Sequence, residues 1–137
     1  MPKENTVLRG IEQGRAIFAC EQVEDAKARF AHSKDESKYK AYVRRIPMLI
    51  KTNGMGATFA FIKAKGEPPY QLIYEQVGQW LNSYDRQTLG GNQDLVKVPI
   101  SLPSTEYRAV TVEVLALFSW LRRFAEGLLE GDEVVGD

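Results

Sequence analysis

From Tyr107 to Leu128 the apolar residues recur at steps of three and four: Tyr107, Val110, Val114, Phe118, Leu121, Ala125 and Leu128. A helix turns about 100° per residue, so this spacing lays all seven along one side of a single long helix, whereas a strand would scatter them over both faces. Ser104, after Pro103, suits the N-cap, Glu106 suits the first turn, and Gly131 marks the stop. Leu115 and Trp120 lie off the stripe. Apolarity that wide requires cover on more than one side, from the rest of the domain or from another protein, which makes Trp120 and Leu115 candidates for a subunit contact.

The same period organises the rest of the chain. Residues 5–32 read as one amphipathic helix, with Asn5 or Thr6 as N-cap and Val7, Leu8, Ile11, Phe18, Val23, Ala26 and Phe30 on its apolar side. Gly10 and Gly14 either weaken that helix, at about 1 kcal/mol each against alanine, or mark a place where another backbone packs closely. The polar stretch His32–Ser37 predicts a turn or loop. Tyr39, Tyr42, Val43, Ile46, Leu49 and Ile50 then fall within an arc of roughly 120°, the width of a core-facing stripe. Pro47, inside this pattern, predicts a kink or restart near Ile46. Asn53-Gly54 is either a helix break or a hairpin turn. The continuous runs Met48–Ile50 and Phe59–Ile62 lack strand alternation, and favour a helix ending at Asn-Gly and a new one through Lys65.

Gly66-Glu67-Pro68-Pro69 is a stop, and Pro69 suits the first position of a further helix through Leu72, Ile73, Gln76, Val77, Trp80, Leu81 and Tyr84. Residues 85–103 read as a long connection, broken at Gly90-Gly91-Asn92, with Val96–Ile100 a strand-like piece that has no partner. The expectation is an all-α fold: one compact bundle of five to seven helices spanning residues 1–137, with a long C-terminal helix and a frayed acidic tail at 131–137.

A chain of 137 residues, 44% hydrophobic and 26% charged, holds one core without staples. The single Cys20 makes no intramolecular disulfide, no Cys or His cluster offers a metal site, and no uncharged apolar run approaches 18 residues. These features predict a reduced, cytoplasmic setting with no metal, cofactor or membrane. Catalysis lacks its usual residues. His32 is the one histidine and has no oriented partner nearby in sequence, and Glu21 beside Cys20 does not favour a thiolate. Gly54-Met55-Gly56 lacks the third glycine of a dinucleotide fingerprint, and no Gly-Lys-Ser/Thr occurs. The neighbours Glu24-Asp25, Asp35-Glu36 and Asp132-Glu133 diverge by about 100° on a helix and read as solvated charges.

Charge is balanced overall but unevenly placed. Residues 35–65 carry +5, residues 106–137 carry −4. Lys40, Arg44 and Lys51 fall within roughly 40° of one another on a face turned away from the apolar stripe. With Arg45, Lys63 and Lys65 they form a candidate surface for a polyanion, to which Tyr39 and Tyr42 would add stacking if exposed. Arg108, Arg122 and Arg123 are weaker candidates, since acidic neighbours partly neutralise them. The competing explanation for any such run is the wet side of a helix.

Two blocks carry a family resemblance. The run Tyr39–Lys65, with Ile46-Pro47-Met48-Leu49-Ile50 leading into Asn53-Gly54-Met55-Gly56-Ala57-Thr58 and Phe59-Ala60-Phe61-Ile62, and the later Tyr107-Arg108, Thr111, Glu113, Leu115-Ala116-Leu117 and Trp120–Glu126, resemble the small subunit of type III-B CRISPR effector complexes, the Cmr module. The resemblance covers about residues 37–129. It implies an all-helical, non-catalytic subunit that stacks in several copies as a minor filament beside guide-gripping backbone subunits and a large subunit, and that contacts CRISPR RNA and target RNA. Sequence specificity would then come from base pairing. Two rivals remain: a purely structural adaptor that joins subunits without touching RNA, and a small helical enzyme whose site is assembled from distant segments.

Overall fold

The computed structural model describes residues 3–83 and 94–131, with residues 3–9 as backbone alone. Among them are six helices: α1 (Lys3–Phe30), α2 (Lys34–Asn53), α3 (Met55–Lys65), α4 (Pro68–Leu81), α5 (Lys97–Ile100) and α6 (Ser104–Leu128). The all-α expectation holds, long last helix included. No helix among the described residues is long and apolar enough to cross a membrane.

The stripe on α6 is the inner wall of the bundle. Val110, Val114, Leu117, Phe118, Leu121 and Ala125 are buried there against α1, α2 and α4, with Tyr107 and Leu128 half-buried at its ends. α2 runs without a break through Pro47 to Asn53, not restarting near Ile46. Ile46 and Ile50, on either side of the proline, are both buried, and each contributes about 1.5–3 kcal/mol, enough together to offset a disrupted turn.

Gly54 alone separates α2 from α3, so Asn-Gly is a helix break and not a hairpin. Its backbone, at φ 87° and ψ 162°, turns the chain in a way that only glycine adopts readily. The opening N–H groups of α3, which have no partner inside the helix, find one in α6: Met55 N (3.0 Å) and Gly56 N (3.2 Å) both donate to the Tyr107 hydroxyl.

Several boundaries differ from expectation. α1 begins at Lys3, which puts Asn5 and Thr6 inside its first turn, and among the described residues no atom of another element stands within 4 Å of a Cβ at Gly10 or Gly14, so neither marks a close backbone approach there. Only residues 31–33 interrupt the helices before α2. The polar stretch folds early because Glu36 is not solvated: its buried carboxylate accepts the backbone N–H of His32 (3.2 Å) and of Glu130 (2.8 Å), and His32 sits at φ 60°. α4 starts at Pro68, one residue before the expected Pro69, after Gly66 ends α3 in the left-handed region. Val96–Ile100 is no strand. Asp94 Oδ1 accepts the N–H groups of Val96 and Lys97 at 2.9 Å, winding Lys97–Ile100 into a helical turn, and the same two bonds hold the Asp94 carboxyl below its ordinary pKa. Pro103, not Ser104, occupies the N-cap of α6. The expectations for Val7 and Leu8 side chains, Tyr84, Gly90–Asn92, Asp132-Glu133 and the tail beyond Gly131 lie outside the described residues.

Two polar junctions fix α1 to the rest. Glu113 of α6 accepts from Arg15 Nε and Nη2, both at 2.9 Å, and from the Trp80 indole at 2.7 Å, while Phe18 packs 4.9 Å from Trp80. The Glu113 hydrogen bond raises the Arg15 pKa above its ordinary value. Deeper in, Gln76 accepts from the Tyr39 hydroxyl (2.7 Å) and donates to the Gln22 carbonyl (3.1 Å), tying α2, α4 and α1 together.

Candidate nucleic-acid interface

α2 and α6 lie side by side and antiparallel. Glu36 meets Glu130, the Lys40 ammonium reaches the carbonyls of Leu129 (3.5 Å) and Gly131 (3.3 Å), and the end of α2 lies beside Tyr107. Between these anchor points the helices leave a cleft of about 370 Å³, lined by Pro47, Lys51, Leu115, Phe118, Ser119, Arg122, Arg123 and Glu126. Leu115 and Phe118 form its apolar floor. Lys51, Arg122 and Arg123 are all exposed on its rim. Arg44, two turns before Lys51, carries the exposed cationic ridge back along α2.

Along α6 a second cleft of about 520 Å³ follows one turn on, lined by Ile100, Leu102, Ser104, Tyr107, Arg108 and Thr111. Arg108 is exposed at its edge. The two clefts lie in succession along α6, the first shared with α2 and the second with Ile100 and Leu102. Lys40 stands at the far end of α6, where an ammonium beside the last carbonyls of a helix also stabilises that terminus.

The basic set expected from the sequence therefore divides between two faces. Lys51, Arg122 and Arg123 line the α2–α6 cleft, Arg44 and Lys40 lie back along α2, and Arg108 lines the second cleft of α6. Arg45, Lys63 and Lys65 stand on the α3–α4 side: Arg45 donates to the Tyr70 hydroxyl (2.6 Å) and lies 5.7 Å from the Tyr42 ring, Lys63 lies 5.9 Å from the Tyr74 ring, and Lys65 lies 5.4 Å from the Phe61 ring. Tyr39 and Tyr42 are buried, the latter stacked on Tyr70 at 3.8 Å, so neither offers a surface to a base. Burial pushes the Tyr39 phenol pKa well up.

Arg122 is partly neutralised, as its neighbours suggested, by Glu126 at 3.2 Å. Both side chains are about half exposed, and an i,i+4 pair of that kind contributes only about 0.3–0.5 kcal/mol, which a phosphate can displace. Trp120 is half-buried and already engaged. Its indole donates to Glu12 at 2.8 Å, Phe124 stacks at 5.8 Å and Arg123 covers the ring at 5.0 Å. Leu115 is half-buried in the cleft floor. Ser119 and Glu126 were not among the expected site residues. Their signal was the spacing Leu115, Ser119, Arg122, Glu126, one ridge of α6.

Fold and groove together define a small helical protein with a cation-lined cleft between two long helices and no strand among the described residues. The chain belongs to the CRISPR-associated Cmr5 family: residues 11–128 match the family described as CRISPR-associated protein (Cas_Cmr5). It is similar to the CRISPR system Cmr subunit Cmr5 of Thermus thermophilus, 25% identical over 123 residues, which is 90% of this chain and 99% of that protein. The crystal structure of a CRISPR-associated Cmr5 family protein from the same organism superposes with a TM-score of 0.70 at 25% identity, covering 88% of this chain and 97% of that one.

Proposed function

We propose that this chain is the small subunit of a type III-B Cmr ribonucleoprotein in the cytoplasm, without catalytic activity of its own, and that its α2–α6 groove lies along the phosphates of CRISPR RNA paired with target RNA. Several copies stack beside the backbone subunits and contact the large subunit. Family membership supports the place in the complex. The observation that carries the RNA contact is the convergence of Lys51 from α2 with Arg122 and Arg123 from α6 on one groove, with Arg44 and Lys40 further back on α2 and Arg108 in the next cleft of α6. Cations from two helices a groove apart suit a polyanion backbone, which demands positive groups along a track and no base-reading motif. Base pairing supplies the specificity.

A single subunit of zero net charge binds weakly alone, and copies aligned on one RNA bind by avidity. The test is filter binding of target RNA to assembled complexes in which Lys51, Arg122 and Arg123 are all alanine. Removing one cation from one phosphate lowers the salt slope by about 0.7–0.9 per copy. An unchanged affinity and an unchanged slope would remove the RNA role from this groove.

The exposed apolar side chains Met48 and Val112 near the groove, 69% and 61% accessible, favour an alternative role as a purely structural adaptor. In that case Met48→Ser and Val112→Ser cost the complex its small subunit, and the three alanines cost nothing.

A further inference from the structure

Helix α3 has two unlike sides, and neither is polar. Met55, Gly56, Thr58, Phe59 and Ile62 are buried inward, while Ala57, Ala60, Phe61 and Ala64 are exposed on the outer side, Phe61 at 39%. A helix that is apolar all round is one covered all round, yet Ala57, Ala60 and Ala64 are exposed, and Phe61, though its ring meets Tyr70 at 5.9 Å and Lys65 at 5.4 Å, keeps 39% of its surface open. Lys63 and Lys65 flank it, exposed and without an ion pair among the described residues. Helix α1 presents the complement. Opposite its buried residues Ala19, Val23, Ala26 and Phe30, the outer ridge carries Ile17, 60% exposed, followed by the exposed Glu21 and Glu24, which have no ion pair among the described residues; Lys27 stands on the flank.

These ridges occupy separate faces of the domain. α3 rests on Tyr70 and Tyr74 of α4, α1 on Gln76 and Trp80. We propose that the α3 face of one copy receives the α1 ridge of a second copy of this chain, Phe61 against Ile17 and Lys63 and Lys65 against Glu21 and Glu24. The occupant is a second copy because the opposite charges and the matching exposed apolar anchors are carried by the same sequence. Pairing two unlike faces is heterologous, so the contact does not close on itself and each added copy leaves one α1 ridge and one α3 face open. The proposal rests on the chain being one of several copies in an assembly, and is independent of whether the α2–α6 groove meets RNA. It also gives Lys63 and Lys65 a protein partner in place of RNA.

The test uses assembled complexes containing equal amounts of light and nitrogen-15-labelled subunit, treated with a zero-length carbodiimide that joins a carboxylate to an amine only when the two touch. Mass spectrometry of the peptides should find Glu21 or Glu24 joined to Lys63 or Lys65 with mixed isotopes, the mark of two different copies. Reversing Glu21 and Glu24 to lysine, or Lys63 and Lys65 to glutamate, should lower copy-to-copy coupling at least about tenfold, and combining the two reversals in one chain should restore it. Coupling of these residues to another subunit, or none between copies, overturns the proposal. So does a weakened RNA salt slope on reversing Lys63 and Lys65 with coupling unchanged. The groove variant Lys51→Ala, Arg122→Ala, Arg123→Ala in the same preparations reports separately on the RNA contact, so either conclusion can fail without the other.

Discussion

Glu113→Ala tests how α1 is held. From the described residues the carboxylate accepts three hydrogen bonds, from cationic or indole donors at 2.9, 2.9 and 2.7 Å, and the Arg15 and Glu113 side chains are only 17% and 20% exposed. Truncation takes the Glu113 acceptor from the Trp80 N–H and from the Arg15 guanidinium, which keeps only the more exposed Glu12 at 3.1 Å among the described residues, in a site that is four-fifths dry. Breaking one partner of a fully buried pair costs about 3–5 kcal/mol, and the residual water access here brings the expectation to about 3 kcal/mol. For a domain of this size that is a fall in Tm of about 10 °C. Urea denaturation should show the midpoint shift with an unchanged slope. The double variant Arg15→Met, Glu113→Leu removes both charges and keeps apolar volume, so it should lose much less than Glu113→Ala alone. A loss under about 1 kcal/mol for Glu113→Ala, or a double variant worse than the single, would refute the assignment of this junction as the clasp between α1, α4 and α6.

Two further outcomes follow from the core. Burial raises the Tyr39 phenol pKa in the folded state, so above pH 10 the unfolded chain releases that proton first and folding loses stability as pH rises, by up to about 1.4 kcal/mol per pH unit; Tyr39→Phe, which also drops the bond to Gln76, should flatten this alkaline loss in urea titrations between pH 9 and pH 11 while lowering stability at pH 7. Gly54→Ala places a side chain at φ 87° with its Cβ 3.3 Å from the Tyr107 hydroxyl, and should cost about 1–3 kcal/mol by thermal unfolding, whereas Gly10→Ala, in open space on α1, should be neutral or stabilising.

That the chain is helical, and where its main stops fall, is legible in the residues alone, because a 3.6-residue period, Asn-Gly, and Gly followed by paired prolines are local signals that bind the backbone whatever surrounds it. The cations and the aromatic and aliphatic stripes are legible there too. Local signals failed where a distant group set the outcome. Val96–Ile100 looked like a strand until Asp94 wound it into a turn, Pro47 stayed inside a helix because Ile46 and Ile50 are buried against the rest of the bundle, and Glu36 became a buried clasp because the end of α6 arrives beside it. Dividing the basic residues into a groove set and an α3 set took the packed bundle, since Lys51 and Arg122 stand 71 positions apart in the chain and share a cleft because α2 and α6 pack antiparallel. The difference is one of reach: periodicity tells which side of a helix a residue lies on, and packing alone tells what that side faces.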